Sequence, residues 1–239
     1  MEVRKVQSRK AAVEDAAGVL NFELEQCQSR PVLLLLSGGS SLAILEKTSH
    51  EYFGPHVTVG ALDERYSQKE KENNFAQIAA TYFFREATQR GAAFIDTRVL
   101  EGETQEALVL RFERELRVWR ERNPNGIILA TIGIGRDGHT AGIMPYPEDP
   151  EKFRRLFEQK ERWVVGYNAG EKNLYPERAT VTLPFLRTIA RSLVFLVGEE
   201  KRGALERVLA EDGELAATPG RVVRDMADVT LVTDIRDRA

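Results

Sequence analysis

Asp137 and His139 stand two residues apart in the stretch Gly133-Ile134-Gly135-Arg136-Asp137-Gly138-His139-Thr140-Ala141. An imidazole is the side chain best suited to proton transfer near neutral pH. A carboxylate beside it can orient the ring or stabilise its protonated form. Three glycines in six residues let the backbone turn tightly and approach a ligand. The apolar run 127–132 precedes the stretch, so it should lie where a strand ends. The chain has three histidines, and His139 is the only one in such a setting. The plainer alternative is a glycine turn with Asp137 as N-cap and His139 at the surface. A metal centre would need further ligands; His50 and His56 lie in a separate, loop-like stretch, and one cysteine, Cys27, excludes a cysteine-based zinc site. No metal and no cofactor are expected.

Three other stretches carry chemistry. Ser37-Gly38-Gly39-Ser40-Ser41 follows an apolar strand. Its glycines free backbone N–H groups to point at an anion, its serines add hydroxyls, and a following helix would add its positive end. It is neither a Walker loop nor a dinucleotide fingerprint. The alternative is a turn with an N-cap serine. Asp63-Glu64-Arg65 closes another strand. Either acid could face a cleft, and Arg65 could grip a phosphate, a carboxylate or a developing oxyanion; a surface ion cluster is the alternative. Arg178 precedes a strand, and Lys201 follows Gly198-Glu199-Glu200 at a helix start. A cation in a first helical turn opposes the macrodipole, which makes sense if both share an anionic ligand.

These residues need a frame, and the pattern supplies one. Residues 10–26 read as a helix with Ala12, Val13, Ala16, Leu20 and Phe22 as its apolar stripe. Residues 32–36 form a continuous apolar run, as expected of a strand covered on both faces. A helix start at 41–47, a strand at 57–62, a helix at 73–84 and a strand at 93–100 follow. In 104–122, Leu108, Phe112, Leu116 and Trp119 share one helical face, and Asn123-Pro124-Asn125-Gly126 ends it. Strands are expected at 127–132, 163–166, 179–183, 193–197 and 229–233, a helix at 199–209, and a loop at 146–151. Strands separated by helix-length segments imply parallel βαβ units. The expected fold is therefore α/β, an open, mostly parallel Rossmann-like sheet with helices on both faces, as one domain over 1–239. Ligands bind such sheets beyond the carboxyl ends of the strands.

Composition narrows the partners. With 239 residues, 30% charged, 42% hydrophobic and a net charge of −3, the chain reads as soluble and globular. It offers no reason to expect a nucleic-acid or anionic-membrane surface. An anionic substrate would need a local basic cluster. Apolar runs such as 32–36 are far too short to span a bilayer, and no signal-type segment follows Met1. A cytoplasmic location is expected.

Taken together the four stretches resemble the 6-phosphogluconolactonase family, within the group that includes glucosamine-6-phosphate deaminase. The matching segments are Leu36-Ser37-Gly38-Gly39-Ser40, Leu62-Asp63-Glu64-Arg65, the Gly133 to Ala141 stretch, and Arg178-Ala179-Thr180-Val181-Thr182-Leu183-Pro184 running on to Gly198 and Lys201. The resemblance implies a metal-free sugar-phosphate site and hydrolysis of 6-phosphoglucono-δ-lactone in the pentose phosphate pathway. His139 would be the general base and Asp137 its orienter. The oxyanion would be held by backbone N–H groups near Gly38 and Gly39 or by Arg65. Asp63 would lie in the substrate site, and Ser40, Ser41, Arg178 and Lys201 would divide the phosphate among them. The expected partner is a small phosphorylated sugar lactone, with the chain a monomer or small homo-oligomer.

The chain departs from the family pattern at Ser40-Ser41-Leu42, where Ser-Thr-Pro is common, at Gly142-Ile143-Met144, where Ser-Leu-Phe is usual, and at Tyr66-Ser67, where Val-Pro is usual. The deaminases instead carry a catalytic glutamate at the position of Met144. A methionine cannot transfer protons, so hydrolysis is favoured over isomerisation with amine loss. A sugar-phosphate sensor without turnover is the other alternative.

Overall fold

The computed structural model describes residues 1–236. The first half of the chain runs β1 (Glu2–Lys5), α1 (Arg9–Gln26), β2 (Val32–Leu36), β3 (Val57–Ala61), β4 (Asp63–Arg65), α2 (Asn74–Ala79), α3 (Tyr82–Gln89), β5 (Ala93–Phe94) and α4 (Gln105–Arg122). The second half runs β6 (Ile127–Gly133), α5 (Pro150–Phe157), β7 (Val164–Asn168), β8 (Glu177–Val181), α6 (Leu183–Leu186), β9 (Arg191–Phe195), α7 (Arg202–Leu209) and β10 (Asp228–Thr233).

Seven strands pair in the order β1-β10-β9-β6-β2-β3-β5, and every pairing is parallel. The all-apolar β2 occupies the interior of this sheet, buried along its whole length. Its side chains alternate between two apolar layers. Leu33 and Leu35 pack with Leu108, Phe112 and Leu116 of α4, and Val32, Leu34 and Leu36 pack with Ala12, Ala16 and Leu20 of α1. Each leucine so buried contributes about 2 kcal/mol. Helices thus cover both faces, as the sequence implies. Chain order reverses between β2 and β6: β2 leads to β3 on one side, and β6 leads to β9 on the other. The loops leaving these two strands therefore diverge and leave a crevice above their carboxyl ends. Those loops are the glycine–serine stretch and the Asp137–His139 stretch. Among the described residues no helix is long and apolar enough to cross a membrane.

Several elements differ from expectation. The strands expected at 163–166 and 179–183 do not join the parallel sheet. With β4 they form a second, antiparallel sheet in the order β4-β8-β7. The chain bends at Leu62 between β3 and β4, so Asp63-Glu64-Arg65 is a strand of its own. The helix expected from 41 is a 3-10 helix over Gly39–Glu46. The helix expected at 73–84 is broken in two, because the Thr81 hydroxyl accepts from Phe84 N and caps α3. The strand at 93–100 shrinks to β5. Where residues 146–151 read as a loop, Asp149 caps α5 with Pro150 in its first turn, a start signal present in the sequence. Phe22, assigned to the buried stripe of α1, is exposed. The expected helix at 199–209 opens as a 3-10 turn, Glu199–Lys201, before α7. Strand β1, absent from the sequence reading, pairs with β10 at the sheet edge.

Candidate active site

A cleft of about 430 Å³ opens at the crevice between β2 and β6. Gly38, Gly39, Ser40, Asp63, Arg65, His139, Arg178 and Lys201 all line it, so five segments distant in sequence meet there.

The loop after β6 is held rigidly. Gly133 N donates to Ser37 Oγ at 3.0 Å, which ties the two loops of the crevice together. Thr140 Oγ1 donates to Gly133 O, Gly135 N to His139 O, and Gly220 N to Gly138 O. On this frame His139 Nδ1 lies 2.6 Å from Asp137 Oδ1, which also accepts the His139 backbone N–H at 3.1 Å. Burial works to raise the Asp137 carboxyl, but the hydrogen bond and charge of His139 outweigh it and hold the group below its ordinary range. An ionised carboxylate only accepts. Nδ1 is therefore the donor in this bond.

Strand β4 sorts its three residues by the two-residue period of a strand. Asp63 and Arg65 face the cleft and Glu64 faces away. Glu64 is fully buried, and its carboxylate accepts from Arg65 N, Asn74 N, Phe75 N and Thr97 Oγ1. Burial pushes its pKa up to about 7 against the pull of these donors. Glu64 thus fastens α2 beneath the cleft, and Asp63 is the acid that faces the cleft. Antiparallel pairing sets Arg65 directly opposite Arg178. Arg178, 5% exposed, donates from Nη1 to Asp63 Oδ2 at 2.8 Å and from Nη2 to Asn173 Oδ1 at 2.9 Å. Arg65 donates weakly from Nη1 to Glu72 O at 3.4 Å, and its guanidinium lies 4.4 Å above the ring centre of Tyr175.

Gly142 matters here through its backbone. Its φ is +71°, and a Cβ on it would fall 2.6 Å from Asp63 Oδ2, displacing the acid that holds Arg178. Thr180 Oγ1 donates to Ala141 O and joins β8 to the same turn.

Ser41 differs from its expected role. Its hydroxyl donates to Ser37 O and Gly38 O, and the residue is buried behind the loop. It shapes the loop, and Ser40 is the serine that faces the cleft. Lys201 is largely buried in the cleft wall and has no ion pair among the described residues. Burial lowers its ammonium, the nearby Glu200 carboxylate raises it, and Arg9 lowers it further. Asn74, Asn173, Leu174 and Tyr175 also line the cleft. The sequence pattern alone does not single out residues 173–175. A turn signature, Asn173 three residues before Pro176, was the only local signal. Met144 is fully buried beside Asn173, whose Nδ2 lies 3.8 Å from its sulfur. Among the described residues no three His, Cys, Asp or Glu side chains gather as metal ligands.

Residues 7–232 match the family described as Glucosamine-6-phosphate isomerases/6-phosphogluconolactonase. A Helicobacter pylori protein named 6-phosphogluconolactonase is 26% identical over 226 residues, 93% of this chain and 91% of that one. Its namesake from Xylella fastidiosa is 27% identical over 182 residues, covering 74% of this chain and 71% of the other. Among solved structures, the fold resembles 6-phosphogluconolactonase from Thermotoga maritima, with a TM-score of 0.75 at 19% identity, covering 97% of this chain and 98% of that one. It also resembles the Leishmania guyanensis enzyme of that name, with a TM-score of 0.73 at 20% identity over 97% and 95% of the two chains. The chain belongs to the glucosamine-6-phosphate isomerase/6-phosphogluconolactonase family.

Proposed function

We propose that this protein hydrolyses 6-phosphoglucono-δ-lactone to 6-phosphogluconate, with His139 as general base. The observation that carries the reading is the Nδ1 to Asp137 bond of 2.6 Å, made by a ring that lines a cationic cleft. Relatives that align over most of the chain bear the name of this activity.

In this scheme Nε2 takes a proton from a water as its oxygen bonds to the lactone carbonyl carbon. The tetrahedral oxyanion is met by donors already in place, either backbone N–H groups of the Gly38–Gly39 loop or the Arg65 guanidinium. Collapse breaks the bond to the ring oxygen. The imidazolium returns its proton to that oxygen, and the carboxylic acid so formed releases its own proton to solvent to give the carboxylate product. Asp137 stabilises the imidazolium between the two transfers. Lys201, Ser40 and Arg178 hold the phosphate. Lys201 suits this role best, since Arg178 is already engaged by Asp63 and Asn173. Met144 supports hydrolysis over deamination, because a thioether offers no proton relay where the deaminases carry a carboxylate.

The test is hydrolysis of freshly made 6-phosphoglucono-δ-lactone, read as rate above the spontaneous background. Wild type should exceed background clearly, and His139→Ala should lose roughly 10²-fold or more. Equal rates for the two proteins would remove His139 from the chemistry. Ammonia release from glucosamine-6-phosphate would replace the lactonase reading with the deaminase one.

A further inference from the structure

We infer that the turn between β7 and β8 is a specificity-determining wall of the cleft, in which Tyr175 and Asn173 are positioning residues that hold the guanidinium groups of Arg65 and Arg178 as one site for an anionic sugar ligand.

The inference starts from the sheet. Arg65 and Arg178 are direct partners in the antiparallel pair of β4 with β8. Partners in such a pair project from the same face, and like charges set opposite each other repel. The usual remedy is a carboxylate on each. Arg178 has one, Asp63 at 2.8 Å. Arg65 has no carboxylate among the described residues; it has the face of Tyr175 instead. An aromatic face attracts a guanidinium without neutralising it. The positive charge of Arg65 therefore remains available to a ligand, and its Nη2 donates to nothing among the described residues.

Asn173 works in the same manner. One atom, Oδ1, accepts from Tyr175 N at 3.0 Å and from Arg178 Nη2 at 2.9 Å. The bond that shapes the turn is thereby shared with the bond that fixes the arginine. Being a neutral amide, it adds no negative charge to the cleft. The loop is closed at its base by Ala169 N donating to Pro176 O at 2.8 Å. With its two neighbours committed inward, Leu174 is turned out onto the cleft rim, 84% exposed. Both contacts therefore orient a guanidinium without adding negative charge: Asp63 already meets the charge of Arg178, and that of Arg65 is left for an anion.

This rests on the lactonase reading only for the identity of the ligand, so the decisive measurement is binding. Calorimetric titration with 6-phosphogluconate should give Tyr175→Phe a Kd within about twofold of wild type. Tyr175→Leu, which keeps an apolar side chain and loses the π face, should bind about tenfold more weakly with little change in Tm. Asn173→Ala should weaken binding similarly, and Asn173→Asp, which places a carboxylate on Arg178, more severely. In turnover these changes should appear chiefly in KM, with kcat less affected. Equal affinity in Tyr175→Leu and wild type would overturn the inference, as would equal losses in the Phe and Leu variants. A wild type that binds 6-phosphogluconate without hydrolysing the lactone would instead overturn the lactonase reading and leave this one standing.

Discussion

The imidazole of His139 occupies the space that a side chain on Gly135 would need. A Cβ built on Gly135 would fall far inside contact distance of Nδ1 and Cε1 of His139, and 2.7 Å from Asp137 Oδ1. The glycine is needed here for close approach, since the ring and its carboxylate lie directly against the backbone of the preceding turn. Gly135→Ala should therefore displace the ring while the sheet beneath stays intact. We expect kcat to fall by roughly 10²-fold or more, as when a general base is removed, with an unchanged circular dichroism spectrum. Wild-type kcat in this variant would show that the ring position is not what the chemistry depends on.

Asp137→Asn tests the carboxylate by charge and tautomer together. An asparagine can present its NH₂ to Nδ1, which then becomes the acceptor and places the proton on Nε2. The base would be blocked with its geometry kept. We expect kcat/KM to drop about 10²- to 10⁴-fold with KM nearly constant. His139 holds the wild-type carboxyl below its ordinary range, so Asp137 stays ionised throughout the neutral region. Any loss of wild-type activity between pH 6 and 8 should then arise from another group. A kcat/KM for Asp137→Asn near that of wild type would dismiss Asp137 as orienter.

The pair Asp137 and His139 was legible in sequence because the contacts between the two residues are local: two residues, one turn, glycines on either side. The parallel sheet was legible for a similar reason, since strands such as β2 are buried on both faces and carry apolar side chains throughout. What failed was register. Whether Asp63 or Glu64 faces the cleft depends on β4 forming a separate strand after the bend at Leu62, and no periodicity survives in three residues. The partnership of Arg65 with Tyr175 spans two strands and a turn, and it exists only because β8 runs antiparallel to β4. Ser41 misled because a serine beside a glycine loop serves an anion or a carbonyl equally well. Here the free carbonyls of Ser37 and Gly38 were nearer.

Glu64 makes stability depend on pH. Its pKa is about 7 in the folded protein against an ordinary value of 4.5. Between these values the folded state binds more protons than the unfolded one, so this group's contribution is fully present below about pH 4.5 and is lost as pH rises through about 7. Over that window the loss amounts to about 3 kcal/mol. Glu64→Gln removes the titration and also disturbs the donors from Asn74 and Phe75. The variant should be less stable than wild type, with the deficit greatest near pH 5 and smaller near pH 8. Urea unfolding of both proteins at the two pH values checks this. A deficit that grew with pH would mean that the four donors, rather than burial, set the state of the carboxylate.

Lys201 sets stability against binding. Its ammonium is largely desolvated in the cleft wall and has no ion pair among the described residues, so the folded protein carries the cost of a poorly solvated charge. Lys201→Met keeps the length and apolar stem and removes that charge. If the lysine grips phosphate equally in ground and transition states, KM should rise about tenfold or more with kcat within about twofold, while Tm holds or increases. The pH dependence gives a second readout. Burial lowers the folded-state pKa of Lys201 below its unfolded value of 10.5. The unfolded state therefore binds more protons in that window, and wild type should gain stability relative to Lys201→Met as pH rises towards 10. Over the same range the wild-type ammonium is lost, so its KM should climb towards that of the variant. A KM unchanged by the substitution would make Lys201 a bystander, and its burial a matter of packing alone.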